Sequence, residues 1–114
     1  MPVESILTSV KKLLGIQEEY THFDDEIVMQ INTALMSAAM IGIGPPEGYS
    51  IKDKTDSWED FVGDRKDLEA IKTYIWHKVR LAFDPPQTGP LTEAINNQIK
   101  ELEWRLNVQV ERGA

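Results

Sequence analysis

Two histidines, His22 and His77, are the only imidazoles, and there is no cysteine. Thiolate nucleophiles, disulfide staples and thiolate zinc sites are therefore excluded. His22 stands just before the Asp24-Asp25 pair, but this spacing matches no common metal-ligand motif. It reads as a solvated loop histidine. His77, beside Trp76, reads as a residue on a helix face. Asp53-Lys54-Thr55-Asp56-Ser57 resembles a calcium loop only superficially, because Trp58 stands where the sharp turn needs glycine. Gly42-Ile43-Gly44-Pro45-Pro46 lacks the lysine and the preceding strand of a phosphate loop. No serine has a nucleophile-elbow context. Carboxylate pairs are frequent, but they stand at helix starts, where capping explains them. The expectation is a chain without catalytic, metal-binding or cofactor-binding residues, and not an enzyme.

Trp58, Tyr74, Trp76 and Trp104 could stack on nucleic-acid bases. However, 12 Lys+Arg against 19 Asp+Glu leave a net charge of -7 and no basic cluster. That charge argues against gripping phosphates, so the aromatics read as core or protein-interface anchors.

The elements that must position these groups are helical. The chain has 114 residues, 41% hydrophobic and 27% charged, which fits one globular domain over residues 1–114. The lack of cysteine fits a reducing compartment. No signal peptide is readable at Met1-Pro2-Val3-Glu4. Ile27 to Pro46 carries no charge, but Gln30, Asn32, Thr33 and Ser37 make a buried soluble helix the better reading than a membrane span.

The apolar spacing predicts a first helix over about Val3–Leu14, with Ile6, Leu7, Val10, Leu13 and Leu14 on one face and Gly15 as its stop. Asp24 is expected to cap a long central helix, with Phe23 and Val28 as a hydrophobic staple. That helix places Ile27, Val28, Ile31, Leu35, Ala38 and Ala39 on its core face, and Met29, Met36 and Met40 widen the apolar arc. An irregular loop follows near 44–56, with Tyr49-Ser50-Ile51 its one strand-like stretch. Ser57 then caps a short helix ending near Gly63. A fourth helix begins at Asp64, carries Leu68, Ile71, Ile75, Val79 and Ala82, and stops at Asp84-Pro85-Pro86. Gly89-Pro90 opens a long C-terminal helix with a narrow seam of Leu91, Ile95, Ile99, Leu102, Leu106 and Val110. Such a seam suits docking against another chain. The expected fold is a small all-α bundle of four to five helices.

The order of these phrases is informative. Leu13-Leu14-Gly15-Ile16 closes the first helix, and an acidic linker leads into Asp24-Asp25-Glu26-Ile27-Val28. Ile31-Asn32-Thr33-Ala34-Leu35-Met36-Ser37-Ala38-Ala39 follows. Later come Trp58-Glu59-Asp60-Phe61 and the run from Ile71 to Asp84-Pro85-Pro86. Together they resemble the head–tail connector, or adaptor and head-completion, family of tailed bacteriophages and prophages, across essentially the whole chain. The long C-terminal helix and the Pro45-Pro46 loop depart from the family's phrases.

The resemblance implies a virion structural subunit at the head–tail interface, assembled in the host bacterial cytoplasm. It implies a ring of about twelve copies that docks beneath the portal, extends the DNA channel and presents a surface to stopper or tail proteins. DNA would pass without specific binding, and no membrane or cofactor is implied. Met29, Met36, Met40, Ile95, Ile99, Leu102, Leu106 and Val110 are the candidate subunit or partner interface. Glu18, Glu19 and Asp53 are the candidate channel-facing acids, since negative charge repels phosphate. The competing reading is an acidic helical regulator that binds another protein, as a DNA mimic does.

Overall fold

Ser5 turns an extended segment into the first helix. Its hydroxyl accepts the Thr8 amide at 3.2 Å and caps α1 (Ile6–Leu13). The structure, a computed structural model, describes residues 4–45, 47–63 and 69–113. The expected start of α1 at Val3 lies outside them. α1 buries Ile6, Leu7, Val10 and Lys11, whereas Leu13, expected on the same face, is half exposed. After α1, the Gly15 amide bonds to the Lys12 carbonyl and the Ile16 amide to the Lys11 carbonyl. This paired closure needs positive φ at Gly15, which is 81°.

α2 (Asp24–Met40) ends in the same way. The amides of Gly42 and Ile43 bond to the carbonyls of Ala39 and Ala38, with φ 90° at Gly42. Its start corrects the sequence reading. Phe23 holds the cap position with no side-chain cap bond, and Asp24 is the first helical residue. The Asp24 carboxylate points instead to Lys11. The Phe23 ring meets Phe83 edge-on, 5.5 Å between centroids, tying the start of α2 to the end of the fourth helix. α2 buries Ile27, Ile31, Ala34, Leu35 and Ala38. Val28 is half-buried, and Ala39, expected in the core, is exposed.

The segment after α2 is irregular but docked. The Asn32 side chain accepts the Ile51 amide at 2.7 Å and donates to the Ile51 carbonyl at 3.1 Å. One residue's backbone is thereby held on α2, and Ile51 is buried beside it. Tyr49 stacks on Phe61. Among the described residues there is no strand, so Tyr49-Ser50-Ile51 does not form one. The β-type pairing present is an isolated bridge between Ser5 and Ser57. Ser57 caps α3 (Trp58–Val62) by accepting the Asp60 amide, and Gly63 ends it, as the sequence predicts. Trp58 is buried and its indole donates to the Ser9 hydroxyl at 2.8 Å.

α4 (Ile71–Phe83) begins later than expected. Asp64 to Leu68 lie outside the described residues, and Glu69-Ala70 form a turn. α4 buries Ile71, Tyr74, Ile75, His77 and Val79, while Ala82, expected inside, is exposed. α5 (Gly89–Gly113) is 25 residues long. Thr88 precedes it and accepts the Leu91 and Thr92 amides through its hydroxyl and carbonyl. α2 packs on α4, α5 also packs on α4, and α1 lies across both α2 and α4. The core lies between these helices, and it is the all-α bundle expected. Among the described residues, no helix is long and apolar enough to cross a membrane.

Candidate functional site

Lys11 organises one end of the molecule. It is only 2% exposed. Its ammonium donates to the Glu18 carbonyl at 2.9 Å and the Tyr20 carbonyl at 2.7 Å, and lies 2.8 Å from Asp24 Oδ1. Two of its three donors are taken by the carbonyls, and the Asp24 carboxylate supplies the counter-charge through an ion pair. A buried charge is tolerated only with such compensation. The clamp folds the acidic segment after Gly15 back over α1 and sets where α2 begins. The apolar spacing of the first helix, Ile6, Leu7, Val10, Leu13 and Leu14, gave no place to Lys11, and sequence reasoning missed it. The signal was its position: Lys11 stands four residues after Leu7, on the core face of α1.

Beside the clamp, α1, the segment around residues 18–25 and the loop 52–55 enclose an open cleft of about 520 Å³. Glu18, Glu19 and Asp53, nominated as channel acids, all border it and are all exposed. The fold thus brings together groups far apart in sequence. Lys52 and Lys54 flank Asp53 at the rim. The Asp53 carboxyl is held below its ordinary value, first by the Thr55 hydroxyl and then by the Thr55 amide. His22 is exposed nearby, its ring edge-on to Phe23. Among the described residues, no three His, Asp or Glu side chains converge as a metal-ligand set.

The eight apolar interface candidates fall into two groups. Met29, Met36 and Met40 are 68%, 69% and 86% exposed. With Thr33 between them, they form one stripe at spacings of 4, 3 and 4, about 16 Å long at helical rise. Thr33 donates its hydroxyl to the Met29 carbonyl, so it offers little polarity outward. The α5 seam is different, and here the expectation is corrected. Ile95, Ile99 and Leu106 are buried in this chain's own core, and Leu102 and Val110 pack half-buried against it. A narrow seam needs one neighbouring helix, and α4 supplies it.

Polar contacts lock that packing. Tyr74, fully buried on α4, donates to Glu103 Oε2 on α5 at 2.8 Å. Burial, and then the Glu103 carboxylate, push its phenol well above the ordinary range. His77 is also buried at this junction, not merely placed on a helix face. Burial lowers its imidazole pKa, a bond to Gln98 on α5 partly opposes this, and the Arg80 charge lowers it further. Asn107 on α5 donates to the Ile41 carbonyl, and Val110 lies against Gly42, so the end of α5 rests on the end of α2. Among the four aromatics, Trp58 and Tyr74 are core residues, Trp76 is half-buried, and Trp104 is 68% exposed.

A small all-α protein with a filled core, an open methionine stripe and an acid-rimmed cleft presents contact surfaces as its distinguishing features. A protein-family model described as phage connector protein matches residues 6–113. The chain belongs to that family, a structural family of virion components. No curated protein and no solved structure was found to match it. The head–tail connector resemblance therefore holds at the level of a phage connector.

Proposed function

We propose that this chain is a non-catalytic, single-domain subunit of a head–tail adaptor ring of about twelve copies. The ring docks beneath the portal, extends the DNA channel and joins the filled capsid to stopper or tail proteins. It assembles in the host cytoplasm. The observation that carries this reading is the family match over residues 6–113. The open stripe of Met29, Met36 and Met40 supports it, because exposed apolar area of this kind marks interaction surfaces. The α5 seam, already occupied by α4, serves the ring by holding each subunit together.

The face carrying Glu18, Glu19 and Asp53 lines the channel in this reading. A net charge of -7 disfavours close approach of phosphates, and Lys52 and Lys54 soften the repulsion without creating a basic track. DNA then slides past without a binding site.

The test is the native mass of the purified chain, alone and mixed with the portal protein of the same phage. A ring of about a dozen subunits, free or on the portal, is expected. A monomer or dimer that ignores the portal would overturn the reading and favour the acidic regulator.

A further inference from the structure

Two exposed apolar features stand on different helices, and one chain cannot satisfy both. The first is the methionine stripe of α2. The second is Trp104, which lies about 180° around α5 from Ile95 at 100° per residue and so points away from the core. Charges flank them in a matching order. Asp25 and Glu26 stand one turn before Met29, and Lys100 stands one turn before Trp104. All three are exposed and have no ion-pair partner among the described residues.

We propose that Trp104 of one copy seats on the Met29–Met36 stripe of the next, with Lys100 reaching Asp25 and Glu26. The occupant of the stripe is a second copy of this chain. The proposal rests on the ring reading and names the contact that builds it. The chemistry is suitable on both sides. Methionine is unbranched and polarisable, and makes favourable contacts with aromatic rings. Tryptophan is over-represented among residues that dominate interface energetics. Because the two patches differ, the contact is heterologous and propagates head to tail, which closes into a ring when the rotation allows. The charge order favours α5 lying parallel to the neighbour's α2, so that each lysine meets the acids while the indole covers the methionines.

The chain has no cysteine, so single cysteines report contacts cleanly. Thr33→Cys protein is mixed with Glu101→Cys protein under ring-forming conditions; both positions are exposed beside the contact and leave Trp104, Lys100 and the methionines in place. The mixture is then treated with an oxidant or a short bis-maleimide. Cross-linked dimers are expected in the mixture, and much less in either variant alone. Trp104→Ala is expected to weaken ring formation roughly tenfold or more. The monomer's unfolding transition should stay unchanged, since the side chain is exposed. Lys100→Glu should weaken assembly, and adding Glu26→Lys should restore it.

If wild-type rings form but no mixed cross-link appears, the contact is wrong and the ring reading stands. The contact is equally wrong if Thr33→Cys links efficiently to itself, which indicates a symmetric interface. It is wrong, too, if Trp104→Ala rings form normally and only portal or tail binding falls. If no ring forms under any condition, both readings fail.

Discussion

α2 and α5 both carry more apolar surface than their polar residues can hide, yet they dispose of it in opposite ways. The α5 seam is one residue wide and finds its partner within the chain. Ile95, Ile99 and Leu106 are buried against the core that α4 borders, and Tyr74–Glu103 fixes the register. The α2 arc runs around most of the helix. One side faces α4, and the loop held by Asn32 docks alongside, but Met29, Met36 and Met40 remain open. A narrow seam is satisfied by one neighbour, whereas a wide arc needs several. Arc width, more than heptad-like spacing, indicates where a small domain has apolar surface left for other chains.

The largest effect expected from this contrast is on stability. Leu106→Ala should destabilise the isolated chain by about 2–5 kcal/mol, as a buried leucine leaves a cavity. The same truncation at Met36 should stay within ~0.5 kcal/mol. Denaturant unfolding of the two variants measures this. Equal small effects would mean that the seam is not part of the chain's own core.

Next is the clamp that places α2. Lys11→Ala strands Asp24 Oδ1 and two carbonyls. A fully buried pair broken this way loses ~3–5 kcal/mol. Asp24 retains 26% exposure, so solvent offsets part of that cost and about 2–3 kcal/mol is expected. Hydrogen exchange should quicken at residues 16–24 ahead of the rest of the chain. Uniform acceleration would mean that the clamp has no local role.

The smallest effect tests the α4–α5 junction by pH. Burial holds His77 below its ordinary value of 6.5. As pH falls, the unfolded chain takes up this proton first, so the folded state is progressively disfavoured. The contribution is complete above pH 6.5 and is lost as pH falls from there toward the lower folded value. Unfolding free energies above and below pH 6.5 should show the decline, and His77→Gln should flatten it. An unchanged slope in the variant would remove His77 as the cause.

Much of the helical plan was legible in sequence because its signals are local. Gly15 and Gly42 stop helices through bonds to carbonyls a few residues back, and Ser57 caps α3 through an amide three residues on. Apolar periodicity marked the inward faces of α2 and α4, with errors at the margins such as Ala39 and Ala82. Glu18, Glu19 and Asp53 were nominated one by one, and their shared cleft could not be seen, because it depends on where the chain returns.

The sequence by itself determined the helix order, the glycine stops, the short capped α3 and the absence of thiol chemistry. Each follows from residue identity or from neighbours within a turn or two. Only the tertiary structure decided that Asp24 would answer Lys11 instead of capping α2. It also decided that Asn32 would hold Ile51, and that the α5 seam would be consumed by the chain's own core. These outcomes pair groups across the fold, and periodicity within one helix says that a face must be covered, not which surface covers it.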